Sequence, residues 1–335
     1  MNLRPIATAA ALAAAIAFVI YPWVFTDPFL QRLGALVLLS AIAASAWNIL
    51  GGFAGQISVG HAVFYGIGAY VPLLAYRRWQ LPPVAGVPAA IALSLAVAAV
   101  IGFPTFRLTG HYFSMATIAV AELVRILISN WAFVGGAIGM MGPATSRTVF
   151  DLSFRSSVPY YYIFLGVLVL VLGVTWQMQR SRMGYYLRAI KEGERAARSL
   201  GVPVRRYKLW SLLLSAGFTA LAGSLYALMI GFVDPESAFG LLVSVDMIIV
   251  AALGGAGFLL GPVLGAVILV PVREFTNAAF GGGGSGLTYI LYGGIIMLIA
   301  RFEPGGLLDV ARRIAQRRRY ATPSAAVAGI GDRAA

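Results

Sequence analysis

The sequence predicts an all-α integral membrane protein of about ten transmembrane helices, some broken by glycine-rich segments, with both termini in the cytoplasm. Three observations carry that fold class. Of 335 residues, 60% are hydrophobic and only 11% charged, whereas soluble domains carry roughly a quarter charged residues. Apolar runs of about 20 residues, the length needed to cross a bilayer, recur along the chain. Runs such as VLLSAIAASAWNIL at 37–50 lack the period-two alternation of a transmembrane β-barrel.

Taken in order, the expected helices are 7–26, 33–50, 61–76, 84–103, 111–129, 159–178, 209–231, 241–257, 258–273 and 287–301. The first has a basic residue, Arg4, before an Ala-rich run, but no small-residue cleavage site precedes Tyr21-Pro22-Trp23, so an uncleaved helix is expected. The connection 179–208 holds nine Lys or Arg against Glu192 and Glu194. Cytoplasmic segments carry such an excess, and placing this one inside sets the rest by alternation. Arg107 and the tail arginines (Arg312, Arg313, Arg317, Arg318, Arg319) then also fall inside, and only Arg77 and Arg78 run against the bias. The net charge of +13 is thus a topology signal, and a nucleic-acid partner is not expected. With no cysteine, disulfide and thiolate chemistry are excluded. Residues 1–308 read as one transmembrane domain, and 309–335 as a basic, then Ala/Gly-rich cytoplasmic tail expected to be disordered.

Two glycine clusters interrupt this pattern. Gly51-Gly52-Phe53-Ala54-Gly55-Gln56-Ile57-Ser58-Val59-Gly60-His61 joins the second and third helices, and Gly254-Gly255-Ala256-Gly257 with Gly261 and Gly265 joins the eighth and ninth. Irregular backbone at membrane depth survives only buried in protein or lining a wet cavity, while small residues also let helices pack closely. Both readings stand: tight packing, or a broken helix lining a path through Gly51, Gly52, Gly55, Gln56, Ser58, Gly60 and His61. Glu122 and Arg125 share one face of the fifth helix, either as an internal ion pair or facing an outer vestibule, and Asp246 lies toward the same side. The outside loop 130–158 is long and nearly uncharged, and loops of this kind are often functional; a soluble partner docking there is one reading.

Within 179–208, Met183, Tyr186, Leu187 and Ile190 repeat at helical spacing. Gly193 breaks the repeat, since a mid-helix glycine costs roughly 1 kcal/mol against alanine. Glu194 then sits where an acid favours a new helix start, and Gly201 followed by Pro203 stops that helix. Two short helices joined at a glycine make a compact knob whose Ala196/Ala197 surface suits a groove on another protein, the plainer alternative being a solvated linker.

The run ERAARSLGVP (194–203) is similar to the coupling loop of bacterial ABC-importer permeases: Ala196-Ala197-Arg198-Ser199-Leu200-Gly201 fits, although Arg195 stands where that pattern has an acid and Glu194 is one place early. Together with blocks 51–70, 108–125, 183–227, 244–266 and 291–308, the chain resembles the LivM-type permeases of the branched-chain amino-acid ABC transporter family. The resemblance implies a bacterial inner-membrane subunit working with a LivH-like second permease, two cytoplasmic ATP-binding subunits and a periplasmic solute-binding protein. It implies a coupling surface of Glu194, Ala196, Ala197, Leu200 and Gly201, and a solute that is a branched-chain amino acid or, in related systems, urea, an amide or an aromatic acid. No phosphate-binding Gly-x4-Gly-Lys-Ser/Thr loop is present, so ATP hydrolysis falls to partners and no cofactor is expected. His61 and His111 are the only histidines, and neither zinc-protease nor serine-hydrolase spacing occurs; an enzyme is not expected. An ion-coupled carrier using Glu122 and Asp246 is the alternative, but it leaves the knob unexplained.

Overall fold

The computed structural model describes residues 16–142, 154, 156–279, 293, 294, 297 and 306–309, helical throughout apart from one short strand pair and the connections. Most of the expected helix 287–301, the Gly281–Gly286 run with Tyr289 and Tyr292, most of 143–155, the tail from 310 and the start of the first helix lie outside the described residues; Gly293, Gly294 and Met297 of 287–301 are described and helical.

Residues 16–24 form the described part of α1. Helix α2 (Pro28–Asn48) opens with a proline, which has no N–H to strand, behind the Asp27 carboxylate, which accepts from the amides of Phe29 and Leu30. It runs into a π-helical turn, Ile49–Phe53. Then follow α3 (Ala62–Trp79), α4 (Pro83–Thr105), α5 (His111–Asn130), α6 (Val158–Arg180), α7 (Arg182–Glu192), α8 (Glu194–Ser199), α9 (Val204–Ile230), α10 (Pro235–Phe239), α11 (Leu241–Gly254) and α12 (Gly261–Ala279). Among the described residues, six stretches are long and apolar enough to cross a membrane: Pro28–Phe53, Pro83–Thr105, His111–Asn130, Ser157–Arg180, Val204–Ile230 and Pro235–Gly254. Helices α3 and α12 are comparable in length but carry Arg77 and Arg78, and Arg273 and Glu274, respectively.

One expectation from the sequence needs correction. The eighth and ninth helices do not meet at residue 257: α11 ends at Gly254, α12 starts at Gly261 and runs on to Ala279. Between them Gly255 and Gly257 take φ of 120° and 88°, values that side chains disfavour, so the backbone must leave the helix there. The connection after α5 carries short regular elements in its described part. It holds two 3-10 turns (Ala132–Val134 and Gly136–Ile138) and a strand β1 (Met140–Met141). This strand pairs antiparallel with β2 (Phe232–Val233), in the connection after α9. Arg78 closes the same end, its guanidinium donating to the Phe133 carbonyl at 3.3 Å and lying over the Phe133 ring.

Helix α3 is the hub, packed on α9 and α4 and flanked by α5 and α10, while α2 packs on α12, α6, α9 and α11. The α3–α9 crossing is a contact of backbones. A Cβ on Gly68 would stand 2.0 Å from the Ala220 carbonyl oxygen, and one on Gly223 1.9 Å from that of Tyr65. Ser224 fastens the crossing by donating to the Gly68 carbonyl at 2.8 Å. In lipid, helix association rests on this close packing and on interhelical hydrogen bonds. Helices α4 and α5, by contrast, are mostly exposed, with 22% and 17% of their spans buried.

Gly223→Ala should therefore force α3 and α9 apart and cost about 1–3 kcal/mol of stability. Gly173→Ala, whose Cβ meets nothing within 4 Å, should cost nothing. Thermal unfolding of the purified protein in detergent compares them, and equal melting temperatures would refute the backbone crossing.

Candidate functional site

The knob forms as its sequence suggests. Helix α7 buries Leu187 and Ile190 and stops at Glu192, α8 starts at Glu194, and Gly193 between them is extended. After α8, Gly201 takes φ of 82°, the left-handed conformation that ends many helices, and the Val202 amide donates back to the Ala197 carbonyl at 3.1 Å. Tyr186 on α7 meets Tyr207 on α9 with ring centroids 4.6 Å apart.

What holds the knob to the bundle is a pair of lysines that pattern reasoning passed over. Lys208, in the first turns of α9, is completely buried and donates to Glu194 Oε2 at 2.5 Å. Arg198 donates to the other oxygen, Oε1, at 3.0 Å. Glu194 is thus engaged on both sides and acts as the tie between α8 and α9 rather than as an open docking residue. Ala197 likewise faces inward, 2% exposed, which corrects its expected place on the knob's surface. Ala196, Leu200 and Gly201 are exposed as expected, Leu200 at 83%. The second lysine, Lys191 of α7, donates to the Gly52 carbonyl at 2.8 Å and lies over Gly55. Both lysines were legible only as two charges among nine, because their partners are far away in sequence or lie across a turn.

Gly52 in turn abuts Gly257, so the two glycine clusters meet. Asn48 joins them: its Oδ1 accepts from the Gly257 amide at 2.8 Å and its Nδ2 donates to the Phe258 carbonyl at 2.9 Å. Behind this junction the segment 54–61 is stitched to its neighbours. Trp47 donates to the Ser58 carbonyl, Thr117 accepts from the Val59 amide, Ser114 donates to the Ile57 carbonyl, and Ser244 accepts from the Ala62 amide. His61 is fully buried, with Nε2 2.7 Å from Ser215 Oγ and Nδ1 3.1 Å from Ser58 Oγ. Ser215 spends its only proton on the Ala46 carbonyl at 2.6 Å, so it must accept from His61 Nε2–H, and Nδ1 then accepts from Ser58. A neutral, tautomer-locked histidine therefore pins α2, α3 and α9.

Of the expected path residues, Gly51, Gly52, Ser58, Gly60 and His61 are buried among helices, while Gly55 and Gln56 are more open. Ser58 and Gly60 border a crevice of about 10 Å³, room for one water. Glu122 and Arg125 lie elsewhere, on α5 where it meets α10. Arg125 donates to both Glu122 oxygens, and through Nη1 to Glu236 of α10 at 3.0 Å. The cluster is partly open, Glu122 at 45% and Arg125 at 27%. Asp246 pairs with Arg273 of α12 at 3.0 Å on the wall of a separate cavity of about 490 Å³. The structure thus resolves the expected path residues into three places, not one.

Apolar spans, glycine-broken helices closed by buried hydrogen bonds, and a polar knob tied to the bundle are the parts of a multi-pass membrane permease. The family model described as "Branched-chain amino acid transport system / permease component" matches residues 30–300, and the chain belongs to that family. The chain is 32% identical over 308 residues to the high-affinity branched-chain amino acid transport system permease protein LivM of Escherichia coli, a match covering 84% of this chain and 70% of that one. It is 30% identical over 313 residues to LivM of Salmonella typhimurium, covering 85% and 72%. To BraD of Pseudomonas aeruginosa it is 24% identical over 285 residues, covering 80% and 91%. The chain is a transport permease subunit.

Removing one partner of a buried ion pair costs about 3–5 kcal/mol. Because Glu194 keeps Arg198 and some water, Lys208→Met should fall at or below the low end of that range. Glu194→Gln with Lys208→Met together should cost less than the sum of the two single changes, as read by thermal unfolding. Additive losses would mean that the pair does not act as one tie.

Proposed function

We propose that this chain is one of two permease subunits of an ABC importer for leucine, isoleucine and valine. In this reading ten helices cross a bacterial inner membrane with both termini in the cytoplasm. A LivH-like permease stands beside it, two ATP-binding subunits lie below and a periplasmic binding protein delivers solute above, the described turns and strand at 132–141 being a suitable dock. The names of the relatives support the substrate class. The observation that supports the mechanism is the double tether of the knob.

When the ATP-binding subunits close, their groove moves the exposed Ala196–Leu200–Gly201 surface. The Glu194–Lys208 tie carries that motion to α9, and Lys191 carries it to the carbonyl of Gly52, where α2 breaks. Since α9 touches α3 backbone to backbone, the two helices shift as one body, a small displacement in a packed unit with two stable arrangements. The Glu122–Arg125–Glu236 cluster supports placing the path on the α5 side. Glu122 lies eight residues from the end of α5, roughly 12 Å along the helix, and an open charge at that depth is costly against hydrocarbon. A wet path shared with the second permease removes that cost.

Ala196→Arg and Leu200→Glu change only exposed positions. Each should leave folding intact, weaken co-purification of the ATP-binding subunits, and lower uptake in proteoliposomes at least about tenfold, equivalent to about 1.4 kcal/mol of lost interaction. Normal assembly and uptake in both variants would refute coupling through the knob.

A further inference from the structure

Helix α6 ends at a basic corner that the transport reading does not use. One face of α6, with Phe164, Leu168 and Val171, is buried in the bundle, and another, with Val169, Leu170 and Trp176, is exposed. Near the start of the exposed face the Tyr162 hydroxyl accepts from Trp23 Nε1 at 2.8 Å. Near its end the Arg180 guanidinium lies 3.9 Å from the centroid of the Trp176 ring. Exposed Trp and Tyr side chains of this kind mark the two membrane–water interfaces. From Tyr162 to Arg180 is about 27 Å along the helix, close to the roughly 30 Å of a bilayer's hydrocarbon core, so Arg180 stands at headgroup depth. Arg182 follows at the start of α7. Arg188 folds back to the same corner, its Nη2 donating to the Gln179 carbonyl at 3.5 Å and its guanidinium lying over the Tyr185 ring. All three arginines are exposed. Among the described residues none of them is within ion-pair distance of a carboxylate; the ion pairs there are made by Arg125, Arg198, Lys208 and Arg273.

We infer that this corner binds the phosphate of an anionic phospholipid in the leaflet on the knob's side, with an acyl chain lying on the exposed face of α6. Guanidinium groups present paired N–H donors that match phosphate oxygens, and stacking on Trp176 holds Arg180 at the interface. Cations brought together without an acid repel one another, and a bound anion removes that repulsion. Anionic lipids attract basic segments that lie beside the end of a membrane helix. A topology signal needs only positive charge on the correct side; it does not need Arg188 to turn back to the end of α6. An acidic protein surface would meet the same charges but not the apolar face that runs on from them. A phospholipid matches both, with charge at one end and hydrocarbon along the rest. The inference goes beyond the import reading and holds whatever solute is carried.

The absence of cysteine in the chain provides the test. In the complete importer, held in lipid nanodiscs, Gly173→Cys carries a bimane fluorophore as the only label in this subunit. Gly173 is exposed, a Cβ there meets nothing within 4 Å, and it lies about 10 Å along α6 from Arg180. The bilayer is phosphatidylcholine with a minor fraction of phosphatidylglycerol. Bromine, which quenches on contact, is placed on the acyl chains of the phosphatidylglycerol or of an equal amount of phosphatidylcholine. Brominated phosphatidylglycerol should quench about tenfold more strongly, a preference equivalent to about 1.4 kcal/mol. Arg180→Gln together with Arg188→Gln, both at exposed positions, should bring the two lipids to within about twofold of each other. High salt should do the same to the G173C protein with its arginines intact. Equal quenching by the two lipids in that protein, or a preference that the double variant leaves unchanged, overturns the site. Should the double variant lose its ATP-binding subunits while the preference persists, the arginines belong to a protein interface and the lipid site is overturned as well. If the double variant fails to assemble, salt decides, and a preference that salt does not reduce overturns the site.

Discussion

A backbone amide or carbonyl at membrane depth has no water to turn to, and the arrangement of this protein follows from where each such group finds a partner. Regular helix satisfies most of them internally. The exceptions are the stretches around 49–61 and 255–260, where the chain leaves the helix while still enclosed by it. There the partners are side chains contributed from almost every direction: Trp47 and Asn48 from α2, Lys191 from α7, Ser114 and Thr117 from α5, and Ser244 from α11. The broken segments are thus the points at which the bundle is most heavily cross-linked. Their glycines permit close approach, and the polar side chains make that approach tolerable.

The same constraint explains the character of α9. Its buried stripe reads Ser211, Ser215, Thr219 and Ser224, small hydroxyl residues one to two turns apart. Each donates to a backbone carbonyl, three of them within α9, at Lys208, Ser215 and Ala220, and Ser215 to Ala46 of α2. Such residues fill little volume, so α9 can lie directly on α3, and Ser224 shares its one proton between Ala220 and, at the shorter 2.8 Å, Gly68 across the crossing. Close packing and polar satisfaction here are one device.

Against that rigid centre, the charged residues divide by environment. Lys208 is wholly buried yet paired, and it fixes α8 to the first turns of α9. The Arg125 cluster is half open and sits on a helix that is itself mostly exposed. Asp246 and Arg273 face a cavity. All three involve an acid and a base, and of them only the first has a partner that is wholly enclosed.

Composition and spacing alone determined that this is a helical membrane protein. They also placed the knob with its break at Gly193 and its stop at Gly201, and located the glycine clusters, because hydrophobic period and helix-breaking residues are local properties of the chain. The resemblance carried by 183–227 and the other blocks determined the family for the same reason, since it is read residue by residue. Tertiary structure decided the rest. That Glu194 turns to Lys208, that Ala197 faces inward, and that Lys191 reaches Gly52 depend on which helix end folds against which, and no periodicity records that. The meeting of the two glycine clusters through Asn48 joins residues some 209 positions apart. The separation of His61, Glu122 and Asp246 into three environments follows from helix rotation about the bundle. Sequence specifies what each helix is made of; only packing specifies what each side chain faces.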